Sequence, residues 1–344
     1  MKQKSLNAKN KIHKSILENL NNFRINDIFK EFKKTLNVKD KIAVAVSGGP
    51  DSLALAFLAQ CFSLLSKVNV KFYLVNHRLR EGSSTEAKLV IKKLKNFGIN
   101  CKILSWHGKK PKTNIQAIAR KKRYSLLTEQ CKKDKINYIL LGHHLDDLYE
   151  NFFIRLSRGT GLKGLTSFGK ISDHEENNVK FLRPLLNLDK KELAYISMKV
   201  FNFFIKDPSN LNENFKRVRI RNLINTLEKE GLDKKKFLLT IDNLKDSDKS
   251  VNFYVERNLK LNSTFNKSKN MYILRKSFFE NPHEIIFRSL SYLMKLISKK
   301  YYPPRGKSIK NLILKIELNE ITKVTLGGCY IEKINESVII SSEK

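Results

Sequence analysis

The segment Lys41 to Ser52 reads KIAVAVSGGPDS and constrains this chain more than any other. Ile42 to Val46 is a short, uncharged, β-branched and small apolar run, the pattern of a central strand buried on both faces. Ser47-Gly48-Gly49-Pro50 breaks it, and Pro50-Asp51-Ser52 stands at the head of the apolar run Leu53 to Leu65, where a helix begins. A strand, a small-residue turn and a helix N-terminus together make an anion site, because backbone N–H groups and the positive end of the helix dipole converge there. No Lys follows the glycines as in a Walker A loop, and the G-x-G-x-x-G spacing is absent. Taken alone, SGGPDS is also compatible with an ordinary capped turn.

The next stretch alternates strand and helix patterns. Val70 to Asn76 predicts a strand running into Asn76-His77, Gly82 to Phe97 a helix, Asn100 to Trp106 a strand, and Asn114 to Cys131 a helix with Ile115, Ile118, Ala119 and Leu126 on one side. Asn137 to Leu141 predicts a fourth strand, ending in Gly142-His143-His144. Such alternation implies right-handed crossovers and a parallel, Rossmann-like α/β sheet with helices on both faces. Ligands of such sheets sit beyond the carboxyl ends of the strands, so SGGPDS, Asn76-His77 and His143-His144 are expected to share one cleft.

Leu145 to Ser157 predicts a helix with Leu148, Phe152 and Leu156 towards the sheet and Asp147 and Glu150 together at i and i+3. Two carboxylates on one face suit a cationic substrate or a metal, or simply complement the helix dipole. Arg158-Gly159-Thr160-Gly161 with Gly164 forms a loop over the same edge. Phe181 to Leu186 is followed by a helix from Asp189 to Phe203 and a turn at 206–210. In Phe215 to Ile224, Arg217, Arg219 and Arg221 alternate with Val218 and Ile220, which predicts an extended segment presenting guanidinium groups to phosphates.

The charge balance, Lys+Arg 67 against Asp+Glu 33 and a net charge of +34, points to a polyanionic partner, with nucleic acid first; drift towards lysine accounts for part of the excess. Residues 1–38 predict a basic helical N-terminal extension, 39–230 the nucleotide-binding catalytic domain, and 231–344 a mainly helical C-terminal domain. In the last, His283 to Lys300 carries a core stripe of Ile286, Leu290, Leu293 and Ile297, and a helix from Ser308 to Leu318 leads to a closing β-hairpin, Lys323 to Ile334 and Val338 to Ser341. Cys61, Cys101, Cys131 and Cys329 lie far apart without C-x-x-C, so local spacing builds no zinc site, iron–sulfur site or disulfide framework, and a reducing cytoplasm fits. Leu53 to Leu65 is too short for a bilayer, and Met1 to Lys14 is lysine-rich without an apolar core, so neither a membrane span nor a signal peptide is expected.

Taken in order, SGGPDS at 47–52, VNHRLR at 75–80, IARKKRY at 118–124, GHHLDDLYEN at 142–151, RGTGLKGL at 158–165, RPLL at 183–186, DPSN at 207–210 and RVRIR at 217–221 resemble the tRNA(Ile)-lysidine synthetase family of the PP-loop ATP pyrophosphatase superfamily. The similarity covers residues 40 to 225 closely, and TLGGCYIEK at 325–333 resembles that family's C-terminal domain. The resemblance implies that ATP adenylates O2 of the wobble cytidine of an isoleucine tRNA with a CAU anticodon, and that the ε-amine of free lysine then displaces AMP from C2. It implies that Ser47, Gly48, Gly49, Pro50, Asp51 and Ser52 grip the phosphates, with Asp51 contacting Mg²⁺ and Asn76 and His77 beside the nucleotide. It further implies that Asp147 and Glu150 hold the amino groups of lysine, that Arg217 and Arg221 meet the adenylate or the RNA, and that residues 231–344 bind tRNA; His143 is either the group that takes a proton from the amine or, with His144, a structural histidine at a strand end. Asn151 stands where the family usually has Thr, and Val218 where Asn often follows the first Arg. Two alternatives remain at this point. One is cytidine thiolation, whose iron–sulfur members need closely placed cysteines; the other is a basic RNA-binding protein with a degenerate ATP site, against which Gly48, Gly49, Asp51 and Ser52 stand intact.

Overall fold

The structure, a computed structural model, describes residues 12–38, 40–108, 111, 113–174, 179–206, 213–300 and 303–343. The chain divides into two compact units, one through Leu232 and one from Asp233. The turn expected at 207–210 lies outside the described residues.

The first unit is built on a six-stranded sheet of β1 (Ile42–Val46), β2 (Val70–Asn76), β3 (Cys101–Ser105), β4 (Tyr138–Leu140), β5 (Ile171–His174) and β6 (Val179–Leu182), in the order β3-β2-β1-β4-β6-β5. Five strands are parallel, and β5, which has no clear signal in the sequence, adds an antiparallel edge. The α/β class and the parallel, helix-covered sheet expected from the sequence are therefore present. Side chains of β1 alternate across it: Ile42, Val44 and Val46 enter one apolar cluster, and Ala43 the other. The first cluster is filled by α2 (Phe23–Thr35), α3 (Pro50–Ser66), α4 (Ser83–Lys95) and α8 (Lys190–Phe201); the second is closed by α5 (Ile115–Lys133). Helix α3 packs against the sheet on one side and α2 and α8 on the other, so Ser52 through Phe62 are all buried and the helix is apolar all round. Burying Leu53, Leu55 or Leu58 contributes about 1.5–3 kcal/mol each. Residues 12–18 form α1, whose Ile16 joins Ile25, Ile28, Phe29 and Phe32 of α2 in this core.

Three expectations change. Residues 215–224 are not extended: Lys216–Lys229 is the helix α9, packed on α6 (Leu145–Leu156), with Val218 and Ile224 buried. The five-residue Arg/apolar alternation hid a longer helical spacing of Val218, Ile224 and Leu227. In α5 the buried positions are Leu127, Thr128, Gln130 and Cys131, while Ile115 is exposed, because only the second half of this helix covers the sheet. In α6, Leu148 is buried but Leu156 is exposed. A short helix, α7 (Leu162–Thr166), occupies the loop that follows.

The second unit contains α10 (Lys234–Asn262), α11 (His283–Ser298), α12 (Gly306–Glu317) and an antiparallel sheet in the order β7-β8-β11-β10-β9. The stripe Ile286, Leu290, Leu293 and Ile297 of α11 is buried as expected. The expected closing hairpin is the β10 (Cys329–Ile334) and β11 (Ser337–Ser342) pair of a larger sheet. Gly327 and Gly328, at φ +65° and +90°, turn β9 (Lys323–Leu326) back along β10, and β7 (Ser263–Asn266) with β8 (Met271–Leu274) extends the other side. Among the described residues no helix is long and apolar enough to cross a membrane.

Away from the cleft, the buried Tyr73 hydroxyl donates to Asp134 Oδ2, which also accepts from Gln130 Nε2 at 2.8 Å. The bond from Tyr73 holds the Asp134 carboxyl below its usual range, and burial followed by Asp134 pushes the Tyr73 phenol up. The Asp134 contribution to stability is present above the ordinary carboxylate range, about 4, and is lost as pH falls below it; that of Tyr73 is present below about 10 and is lost as pH rises further. Tyr73→Phe should lower stability by about 1 kcal/mol near neutral pH and flatten the stability profile at both extremes. Urea midpoints measured across pH check this.

Candidate active site

The β1–α3 loop is shaped by one hydroxyl. Ser52 Oγ accepts from the backbone N–H of Ser47 at 3.0 Å and Gly48 at 3.2 Å, and donates to Gly49 O at 3.0 Å, while Ser47 Oγ lies 3.1 Å away. Gly48 sits at φ +86°, and a Cβ there would fall 2.7 Å from Val90 Cγ2, so both backbone and space require glycine. Pro50 takes the first position of α3, and its carbonyl accepts from Ser197 Oγ at 2.6 Å. This loop and the β4–α6 turn lie where the strand order departs in both directions from β1, the switch point of the sheet. The two turns touch: a Cβ on Gly142 would meet the Asp51 backbone carbonyl at 3.3 Å.

That approach brings three sequence-predicted positions together. Asp51, three-quarters buried, points Oδ2 to within 3.7 Å of His144 Nε2, and the same nitrogen lies 3.5 Å from Asp147 Oδ2. Burial pushes the Asp51 carboxyl up, against His144 and Lys190, which favour its charge. Asp147 also caps α6 by accepting the His144 N–H at 3.0 Å, so it does serve its helix as a terminal acid. Burial works to raise its pKa, but His144, His143, this backbone bond and Arg217 outweigh it and hold the carboxyl below its usual range. Glu150, with 3 % of its side chain exposed, is bound by Arg221, whose Nε and Nη2 donate to Oε1 at 2.9 and 2.6 Å. Burial raises the Glu150 pKa, against Arg221. Arg217 and Arg221, one helical turn apart on α9, both lie within electrostatic range of Glu150, whereas Arg219 turns away to Glu213 O and Asn214 O.

The remaining predicted residues differ in role. Asn76 is committed to its own turn, donating to Ser84 Oγ at 2.9 Å and accepting from Arg78 N at 3.1 Å. Burial and Arg123 push the His77 pKa down to about 4. Burial also pushes that of His143 down to about 3, helped by Arg183, Arg120 and Arg123 and opposed by Asp147. Both imidazoles are neutral at pH 7.

Sequence reasoning assigned no role to His144, Arg120, Arg123 or Arg183, although IARKKRY and RPLL contain the three arginines. Arg120 and Arg123, at i and i+3 in the half of α5 that leaves the sheet face, and Arg183, just past the end of β6, were the available signal. Among the described residues, seven buried side-chain atoms lack a partner. Six of them, Asp51 Oδ1, His77 Nδ1, Arg123 Nε, His143 Nδ1, His144 Nδ1 and Arg183 Nε, belong to the cleft residues just described. Groups left unpaired at such a density mark a binding site, since each costs about 1–3 kcal/mol unless a ligand satisfies it.

A doubly wound sheet with an SGGPDS loop at its switch point defines a PP-loop ATP-binding protein, and the PP-loop domain family model matches residues 18–228. The chain is 36 % identical over 313 residues to the tRNA(Ile)-lysidine synthase of Wolbachia pipientis wMel, covering 88 % of this chain and 71 % of that one. It is 36 % identical over 316 residues to the tRNA(Ile)-lysidine synthase of Orientia tsutsugamushi, covering 88 % and 70 %. The chain belongs to the tRNA(Ile)-lysidine synthase family of PP-loop enzymes, whose chemistry is ATP-dependent tRNA modification. Its fold is also that of the U34-tRNA thiolase NcsA from Methanococcus maripaludis, at a TM-score of 0.55 and 21 % identity over 64 % of this chain and 79 % of that one.

Ser52→Ala removes the hydroxyl that closes the loop. The loss of about 1–2 kcal/mol of loop organisation should raise the KM for ATP roughly 5- to 30-fold while the melting temperature falls only slightly. ATP titrations beside thermal melts decide it.

Proposed function

We propose that the protein uses ATP to adenylate O2 of the wobble cytidine in isoleucine tRNA with a CAU anticodon, and then joins free lysine to C2, forming lysidine, AMP and pyrophosphate. The observation that carries this reading is the position of His144 Nε2, 3.7 Å from Asp51 and 3.5 Å from Asp147. A carboxylate of the phosphate loop and a carboxylate suited to an ammonium thereby share one buried imidazole, so a nucleotide and an amine can meet over it.

In the first step the base oxygen attacks the α-phosphorus of ATP, and the bond to the β-phosphate breaks with pyrophosphate taking the electron pair. In the second, the neutral ε-amine forms a bond to C2, the C2–O bond breaks, AMP takes the pair, and one proton leaves the nitrogen. Activation comes first because an unadenylated C2 oxygen is a poor leaving group. The target lies in a loop, so exposing the base costs only a few kcal/mol at most. Ser47 to Ser52 orient the phosphates through backbone N–H groups and the α3 dipole. Asp147 and Glu150 supply the negative charge for the amino groups of lysine, Glu150 while holding Arg221 towards the adenylate. His143, neutral and with Nδ1 unpartnered, is in the form that accepts a proton, and the negative charge of bound adenylate offsets the arginines that depress its basicity.

Mg²⁺ fits the donor set. Asp51 offers a buried oxygen without a partner, and among the described residues no three His, Cys, Asp or Glu side chains gather into an all-protein cage. Asp51, nucleotide phosphates and water would hold the ion, which would supply charge neutralisation at the phosphates. Cytidine thiolation is disfavoured by the cysteines: burial pushes Cys61, Cys101 and Cys131 up to about 12 and Cys329 up to about 11, far from the thiolate form that sulfur or cluster chemistry uses. Residues 1–38 and 231–344 are the further candidates for tRNA contact, in line with the net charge of +34. A cytoplasmic enzyme suits these reactants, tRNA, ATP and free lysine.

Three outcomes follow. Each phosphate neutralised adds about −0.9 (duplex) or −0.7 (single strand) to the slope of log K against log[salt], so tRNA affinity should fall steeply from low to physiological salt; a filter-binding salt series that stays flat removes the phosphate-dominated interface. Asp147→Asn, which keeps an oxygen for the α6 cap, should still release pyrophosphate with ATP and tRNA alone. Its lysine requirement should rise by roughly tens to thousands of fold, from a loss of about 2–5 kcal/mol. Asp51→Ala should abolish pyrophosphate release and leave tRNA bound. Pyrophosphate and lysine incorporation, followed on the same samples, separate the two steps, and equal losses of both in Asp147→Asn contradict the assignment.

A further inference from the structure

Helix α8 turns Leu193, Ile196, Val200 and Phe201 to the core, and within that apolar face stands Ser197, fully buried. A hydroxyl buried among apolar side chains needs a partner, and a helical serine ordinarily finds one in the carbonyl of the preceding turn. Ser197 instead reaches out of its own helix and donates to Pro50 O at 2.6 Å, in the first turn of α3. Asn202, at φ +46°, ends α8, and the chain that leaves it meets the same loop at Gly48. Ile205 N donates to Gly48 O at 2.9 Å, and Ile205 Cδ1 lies 3.3 Å from where a Cβ on Gly48 would stand.

These two bonds decide where the donors of the loop point. The N–H groups of Ser47 and Gly48 are already taken by Ser52 Oγ. Of the residues that link β1 to α3, Gly49 therefore keeps the N–H that has no acceptor among the described residues. A trans peptide is planar, with its C=O and its N–H pointing in opposite directions. Fixing Gly48 O on Ile205 N thus turns the Gly49 N–H away from Ile205 and holds it there. Two adjacent glycines do not restrict their own backbone, so this peptide would otherwise be free to flip. Ser197 acts at the other end of the turn, where it anchors the first carbonyl of α3 and with it the direction in which the helix dipole is aimed.

Resting on the reading of Ser47 to Ser52 as the phosphate grip, we propose that Ser197 and Ile205 are positioning residues for ATP. They hold the Gly48–Gly49 peptide and the head of α3 in the orientation that receives the phosphates, and they touch the loop rather than the nucleotide. Donors fixed in advance stabilise an anion without rearranging when it arrives, so the affinity of the loop for phosphate depends on bonds made behind it. The hydroxyl of Ser197 and the backbone N–H of Ile205 are those bonds.

The test measures, by calorimetric titration with Mg²⁺ present, the affinity for α,β-methylene-ATP, which resists cleavage between the α and β positions, and for adenosine, which has no phosphate. Ser197→Ala should weaken the analogue about 5- to 10-fold and leave adenosine within about twofold of the wild type. Ser197→Cys, which fills the same space with a weaker donor, should show the same selective loss. An amide-to-ester exchange at Ile205, which replaces the donating N–H by oxygen and keeps the side chain, should do so as well. Wild-type affinity for the analogue in either Ser197→Ala or the Ile205 ester overturns the proposal. A parallel fall for both ligands also overturns it, since the bonds then serve only the packing of α8 on α3. Ser52→Ala separates the two readings. If it binds the analogue as the wild type does, the loop does not grip phosphate and both readings fall; if it is weakened while Ser197→Ala and the ester are not, this proposal falls alone.

Discussion

The cleft depends on the close approach of two backbone turns at the switch point of the sheet. The β4–α6 turn lies tightly against the first turn of α3 where Gly142 has no side chain, and the phosphate loop folds under Ser52 with Gly48 at a positive φ beside Val90. From that approach follows the sharing of His144 by Asp51 and Asp147, since the two carboxylates belong to helices that start from strands adjacent in the sheet but far apart in sequence. The rigidity behind it comes from α3, buried on all sides, which fixes the loop at one end while the parallel strand β1 fixes the other.

Charge is arranged over this frame in opposed groups. Burial depresses the basicity of His143 and His77, with Arg183, Arg120 and Arg123 adding to it at His143 and Arg123 at His77, so the imidazoles stay neutral among cations. Asp147 and Glu150 counter them from α6, and Arg221 neutralises the more deeply buried of the two. A buried carboxylate without its cation would be worth several kcal/mol of instability, so the Glu150–Arg221 pair also ties α9 to α6 and keeps Arg217 and Arg221 on the cleft side. The unpaired donors and acceptors that remain are the features a ligand must complete.

The U34-tRNA thiolase shares this fold, so the fold alone does not fix the chemistry, and what distinguishes this chain is carried by the charged groups around its cleft. In the second unit, polar residues do structural work of a different kind. Arg288, almost fully buried on α11, donates to Asp248 and Asn252 of α10 and to Glu284 of its own helix, which locks two long helices in register.

Much of this was legible in the sequence because it is local. The strand–turn–helix around SGGPDS, the strand–helix alternation, the i, i+3 placement of Asp147 and Glu150 and the stripe of α11 all depend on spacing along a few turns of chain, and period and composition encode spacing. What only the tertiary structure decided is long-range. The two-residue alternation of Arg217 to Arg221 reads as extended until α9 packs on α6 and Arg221 meets Glu150, because a helix is stabilised by the face it buries more than by a five-residue pattern. Strands β7 and β8 form a short local hairpin, and its place in the sheet is settled by the pairing of β8 with β11, dozens of residues away. The positions of Arg123, Arg183 and His144 are only weakly marked in the sequence, since each buries an atom without a partner beside charges from other elements, and burial and electrostatic neighbourhood exist only once the chain has folded.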